Sequence, residues 1–195
     1  MALELGPIVK HQNALTIVNA RLIFDPDSLF KYPELIQCRE IKIGHEREAL
    51  AKKNSFRYTG LGGNIACLTN GIGLGWATID ALQTNKQKVA CLLDVGTVPN
   101  VKSITTALRL ALSEPNVDAL FVNIYGGLTN CEDIAQGVLE ASSEIPVGIP
   151  VIIRMAGLNE ETAQKLLSKS ALPFWTTSKM KVAVNELIRL MKEKA

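Results

Sequence analysis

From Leu61 onward the chain repeats one pattern five times: a short apolar run, a polar or glycine-bearing break, then a stretch with helical spacing. The apolar runs are Ile65–Thr69, Val89–Leu93, Ala119–Ile124, Pro150–Ile153 and Phe174-Trp175-Thr176. The helical stretches run to about Gln83, Leu112 and Ser143, then over Asn159–Ser168 and Ser178–Lys194. Strict alternation of this kind specifies a parallel sheet with helices on both faces. The expected fold is therefore α/β: a flavodoxin-like doubly wound parallel sheet of five βα units over residues 58–195, with strand order 2-1-3-4-5.

That order also locates a site. Ligands of such sheets bind beyond the strand carboxyl ends where the winding reverses, here between the first and third strands. The breaks at that point are Asn70-Gly71-Ile72-Gly73 and Gly126-Gly127-Leu128-Thr129, the second followed by Asn130-Cys131-Glu132-Asp133. Phe121–Thr129 reads as a buried strand feeding a glycine turn into a helix N-terminus. Such an end leaves N–H groups unpaired, carries roughly half a positive charge, and welcomes an anion that glycines allow to come close. Thr129-x-x-Glu132 also has capping-box spacing, and Glu132 and Asp133 would compete with an incoming anion. Asp94, closing the second strand, reads either as a functional acid or as a residue that caps or pins the following loop.

Residues 1–57 differ from the rest. Gly6–Val9 and Leu15–Val18, joined by the polar turn Lys10–Asn13, read as a β-hairpin. Asp25-Pro26-Asp27-Ser28 reads as a turn, and Arg39–Asn54 is a charged helix or linker. A hairpin without further strands is marginal, so this segment reads as the end of a larger sheet.

Composition excludes several classes. Net charge is +2 and no basic run reaches five residues, which gives no footprint for nucleic acid. No apolar run approaches the ~18 residues needed to cross a bilayer, so no membrane partner is expected. The N-terminus has the features of neither a signal nor a transit sequence. Cys38, Cys67, Cys91 and Cys131 form no C-x-x-C and read as reduced, mostly buried thiols. A dinucleotide fingerprint and a P-loop are both missing. His11 and His45 have no Ser or Cys on a nucleophile elbow to pair with. The first strand ends in Asn70 rather than an acidic cluster or a Ser/Thr-rich phosphate loop, which argues against a phospho-receiver or a flavin carrier.

Several motifs together resemble the β subunit of succinyl-CoA synthetase. They are Gly63-Asn64-Ile65-Ala66-Cys67-Leu68-Thr69-Asn70-Gly71, Leu93-Asp94-Val95-Gly96, Val122-Asn123-Ile124-Tyr125-Gly126-Gly127 with Asn130-Cys131, and Ser170-Ala171-Leu172-Pro173. The chain is similar to the carboxy-terminal CoA-ligase domain of that family, with residues 1–57 matching the end of an ATP-grasp domain and linker. The resemblance implies part of an acid–CoA ligase that joins a small carboxylate to coenzyme A using ATP or GTP with magnesium, acting with an α subunit that carries a phosphohistidine. It implies substrate-binding roles for Asn70, Gly127, Leu128 and Thr129. It also implies a helix N-terminus at Gly126, Gly127 and Asn130 facing the phosphohistidine, and a catalytic role for Glu4. The Asn-Ile-Ala-Cys and Gly-Gly-x-x-Asn-Cys variants resemble the mitochondrial form, which implies a matrix location, or otherwise a cytoplasmic one.

Three departures qualify the resemblance. The family's Glu-x-Asn-Pro reads Glu4-Leu5-Gly6-Pro7, and its later magnesium-binding Asp reads Asn19, so no metal is expected on Gly6 and Asn19. The family's glycine run after Asp94 reads Gly96-Thr97-Val98. With the nucleotide-binding part of the ATP-grasp domain outside this sequence, no cofactor is expected on this chain alone. The rival expectation is a non-catalytic assembly or regulatory module that binds the α subunit.

Overall fold

A computed structural model describes residues 2–25, 28, 31–37, 46–145, 148–170 and 172–194. Within the sequence readings above, Pro26, Asp27, Cys38, the segment 39–45 with His45, and Ala171 lie outside the described residues. The chain divides into two compact units, Met1–Lys42 and Ile43–Ala195.

The first unit is built on an antiparallel hairpin, β1 (Ala2–His11) and β2 (Ala14–Ile23), followed by the short helix α1 (Pro33–Gln37). Both strands are longer than the sequence reading, because the polar residues Glu4, Lys10, Asn19 and Arg21 continue the ladder. Leu3, Leu5, Ile8, Val9, Leu15, Ile17, Val18 and Leu22 remain exposed in this unit.

The second unit opens with α2 (Glu46–Lys53) and β3 (Arg57–Gly60). It continues with β4 (Ile65–Thr69), α3 (Ile72–Thr84), β5 (Val89–Asp94), α4 (Val101–Leu112), β6 (Ala119–Asn130) and α5 (Cys131–Ala141). It ends with β7 (Val151–Leu158), α6 (Glu160–Ser168), β8 (Phe174–Thr177) and α7 (Met180–Lys194). Six strands form one sheet in the order β3-β5-β4-β6-β7-β8. From β5 to β8 every pair is parallel, and the order is the expected 2-1-3-4-5. The addition is β3, an edge strand antiparallel to β5. Its four residues carry no alternation of apolar and polar side chains that would mark them as a strand.

The strands are buried on both faces. Cys67, Phe121 and Ile152 pack under Ile79 and Leu82 of α3 and Ala183, Val184 and Leu187 of α7. On the opposite face Leu68, Val122 and Ile153 meet Ile104 and Leu108 of α4, Ile134 and Val138 of α5, and Ala163 and Leu167 of α6. This two-sided burial explains the near-continuous apolar runs in the sequence. Each fully buried aliphatic or aromatic side chain contributes about 1.5–3 kcal/mol.

The third strand departs from expectation at its end. The sequence reading stops it at Ile124 and turns the chain at Gly126-Gly127, whereas β6 continues to Asn130 before α5 begins. β7 likewise passes its expected end and runs beside β6, with Gly126 paired to Gly157 and a register irregularity between Gly126 and Asn130. The glycines that look like a turn in sequence instead permit a close approach of two strands. A Cβ on Gly157 would sit 2.3 Å from the Gly126 carbonyl oxygen, and its φ of +159° is one that side chains disfavour.

Candidate functional site

Where β4 ends, Asn70 continues its pairing by side chain. Its Oδ1 accepts the Tyr125 N–H at 2.9 Å, and its Nδ2 donates to the Tyr125 carbonyl at 2.9 Å and to Thr129 Oγ1 at 2.7 Å. The Thr129 hydroxyl then donates to the Thr97 carbonyl at 2.6 Å. The segments after β4 and β5 and the far end of β6 are thereby tied by two buried side chains. Asp94 secures the middle loop by accepting the Gly96 N–H at 2.9 Å, which is the pinning role expected for it.

This arrangement sorts the residues expected to touch a ligand. Asn70 and Thr129 are brought together, but their polar atoms are spent on holding the loops. What faces outward is the segment between them: Gly127 and Leu128 are exposed, Leu128 by 76%. A Cβ on Gly126 or Gly127 would meet nothing within 4 Å, and the same holds at Gly71 and Gly73. Internal packing leaves open space beside all four glycines on the rim of the crossover.

The two helix starts at the crossover differ. α3 follows Gly71, with no side-chain cap and no acidic residue in its first turn. α5 is capped by Asn130, whose Oδ1 accepts the Glu132 N–H at 3.2 Å and an Asn159 Nδ2–H at 3.1 Å, and its first turn carries Glu132 and Asp133. The capping box expected from Thr129 to Glu132 is not formed, because the Thr129 hydroxyl is engaged by Asn70 and Thr97. A true capping box closes α4 instead, between Asn100 and Ser103.

One network was not anticipated. Asp94, Thr69, Asn123, Arg154 and Thr177 are register partners on successive strands, so they form a polar row on one face at the carboxyl edge of the sheet. Asn123 Nδ2 donates to Thr78 Oγ1 of α3 at 2.7 Å, and its Oδ1 accepts from Arg154 Nη1 at 3.2 Å. Arg154 also donates from Nε to the Ser178 carbonyl at 2.9 Å, and its guanidinium lies 4.7 Å from the centre of the Tyr125 ring. Burial pushes this guanidinium below its ordinary range, while Tyr125 and Glu160 pull it back up. Part of the signal is in the sequence, since Asn123 is a polar residue inside an apolar run, whereas Arg154 falls just beyond the run that ends at Ile153.

Glu4, Gly6 and Asn19 lie on the hairpin. Glu4 is paired across the ladder with Arg21, the charges 3.9 Å apart and both exposed. Gly6 faces Asn19 in register. One amide oxygen without a carboxylate does not fit the hard oxygen shell that magnesium requires, and no group of three His, Cys, Asp or Glu side chains able to hold a metal occurs among the described residues. Cys67, Cys91 and Cys131 are free and buried, with Cys91 pushed up to about 12 by burial. An apolar cavity of about 440 Å³, lined by Val151, Leu172, Phe174 and Leu190 among others, opens at the other, amino-terminal edge of the sheet. No helix among the described residues is long and apolar enough to cross a membrane.

Comparison with known proteins gives these features a context. The chain is 35% identical over 98% of its length to the β subunit of an ADP-forming succinate–CoA ligase from Herminiimonas arsenicoxydans, covering 50% of that protein. It is 38% identical over 87% of its length to the corresponding subunit of Persephonella marina, covering 44% of it. The chain thus spans about half the length of these curated relatives. Both are bacterial, so the mitochondrial location implied by the sequence motifs draws no support from them. In fold, it is similar to the solved ATP citrate lyase of Methanosaeta concilii in complex with (3S)-citryl-CoA, at a TM-score of 0.77 and 15% identity, over 95% of this chain and 55% of that one. The family model described as CoA-ligase matches residues 68–188, from the end of β4 to the last helix and across the whole polar crossover. The chain belongs to the CoA-ligase family.

Proposed function

We propose that the chain is part of a β-type subunit of a nucleotide-dependent acid–CoA ligase, and that it contributes the loops on which a small carboxylate and the phosphohistidine of an α-type subunit dock. The observation that carries this reading is the open backbone at Gly126-Gly127-Leu128, fastened at both ends by Asn70 and facing unfilled space at the crossover. The reaction moves negative charge between a phosphoryl group and a carboxylate. Fixed N–H donors at such a rim hold an anion without reorganising during the step. In the assembled enzyme, coenzyme A and ATP or GTP with magnesium are handled largely outside these loops, and the isolated chain is inactive. The curated relatives are named as ADP-forming succinate–CoA ligase subunits, which supports succinate and ATP as the first pair to try.

Gly127→Asp tests this reading. A Cβ at Gly127 meets nothing within 4 Å and its backbone is not in the left-handed region, so the fold should survive. A negative charge then stands where an anion must sit, and the ligase rate of the chain assembled with an α-type subunit and a nucleotide-binding segment falls by at least about a hundredfold. An unchanged rate would refute the reading.

A second reading has one observation in its favour. Gly6 and Asn19 face one another where the family places magnesium ligands. This favours a non-catalytic module that binds an α-type subunit. A magnesium titration separates the two, since only a ligase part gains activity with the ion.

A further inference from the structure

We propose that Arg154 is a positioning residue that locks the Gly126–Thr129 loop to the start of α7, and through Asn123 to α3. In naming the loop a carboxylate-docking element, the inference rests on the function proposed above.

Arg154 is only 9% exposed, yet no carboxylate lies within ion-pair distance of it among the described residues. Retaining a buried cation without such a partner is costly, and an apolar side chain of similar length would fill the space more cheaply. What the guanidinium supplies instead is a rigid fork. Nη1 donates to Asn123 Oδ1 at 3.2 Å and to the Ile124 carbonyl at 3.4 Å, both on β6. Nε donates to the Ser178 carbonyl at 2.9 Å, two residues before α7. Its face supports the Tyr125 ring.

Tyr125 is the residue through which this reaches the loop. Its ring is 60% exposed and therefore not held by the core. Its backbone N–H and carbonyl are both bound by Asn70. The segment that follows consists of Gly126 and Gly127, which have no side chains to hold it, and only Gly126 of the two has a register partner on β7, Gly157. This end of β6 thus runs between two clamps, Asn70 on the Tyr125 backbone and Arg154 under the Tyr125 ring. Asn123 extends the second clamp to α3, because its Nδ2 donates to Thr78 Oγ1. Lysine can replace the charge but cannot serve Asn123, Ser178 and the ring together.

The test uses backbone amide resonances and amide exchange of the chain itself, so it needs no partner. Tyr125→Ala alters an exposed side chain and leaves the fold intact. It should shift the amide resonances of residues 179–181 in the wild-type background, and this long-range shift should vanish in Arg154→Lys. Exchange at Gly126 and Gly127 should rise about tenfold in Arg154→Lys. Unchanged resonances at 179–181 on Tyr125→Ala would overturn the proposal even if Arg154→Lys does not fold. So would unchanged loop exchange in a folded Arg154→Lys. In the reconstituted ligase, Arg154→Lys should raise KM for the carboxylate about tenfold with a smaller change in kcat for the nucleotide-dependent step. An inactive wild-type complex beside intact coupling in the isolated chain would count against the proposed function and support the positioning role.

Discussion

α3 and α5 begin at the ends of neighbouring strands and are finished in opposite ways. α3 starts at Gly71 with neither a capping side chain nor an acid in its first turn. α5 starts at Asn130 with its cap in place and Glu132 and Asp133 behind it. A similar contrast separates α6, which opens with Glu160 and Glu161, from α7, which has no acid in its first turn. The difference teaches that only part of this rim is free to meet a negative charge. The α5 start already has its acceptors, and its role is to fix where β6 ends. The α3 start has no capping side chain and no acid to oppose its helix dipole, and it stands at the same crossover as the exposed Gly127-Leu128 backbone.

Substitutions on either side can break this comparison. The largest loss of stability is expected from Asn70→Ala, which removes the side-chain partner of both Tyr125 backbone groups and one of the two partners of the Thr129 hydroxyl. Chemical denaturation should show a loss of about 2–3 kcal/mol, accompanied by loss of ligase rate in a reconstituted complex. Asn130→Ala should cost about 1 kcal/mol, the usual worth of a cap, and should lower the rate only as far as it loosens the end of β6. Gly73→Asp sharpens the contrast. A carboxylate placed in the acid-free first turn of α3 should raise stability by about 0.3–1 kcal/mol, yet depress anion binding, which a phosphate or succinate titration of the complex would record. If Gly73→Asp leaves binding untouched while Asn130→Ala abolishes it, the assignment of the two helix starts is reversed.

The smallest effect concerns the core beneath the site. Burial holds the Cys91 thiol up to about 12 and raises that of Cys67, so both stay protonated at pH 8. A thiol reagent at that pH should leave both unmodified in the folded chain and reach them only on unfolding. Prompt labelling of either would show that the sheet interior opens more readily than its packing implies.

Much of this fold was legible because two-sided burial writes itself into the sequence as uninterrupted apolar runs. The strand order and the crossover followed once five alternating units were matched to a flavodoxin-like sheet, and they placed Asn70 and Gly126-Gly127 at one location. The course of the chain between Gly126 and Asn130 was not legible. Paired glycines signal a turn in sequence, but here they signal two backbones in contact, with the Gly126 oxygen against Gly157. The structural role of Asn70 and Thr129 was also not legible, because their polar atoms bond to neighbours far away in sequence. Arg154 was passed over because its partners, Asn123, Ile124 and Ser178, come from other strands and share no local motif with it. β3 was missed since an edge strand of four half-exposed residues needs no pattern of its own to pair with β5.

The central claim is that the rim of this sheet is built to dock an α-type subunit. Its most direct test is calibrated size-exclusion of the chain mixed with the purified α subunit of a bacterial succinate–CoA ligase such as that of Persephonella marina. Co-elution as a complex is the predicted result, and Gly127→Asp should weaken it. Separate elution of the two folded proteins would contradict the claim.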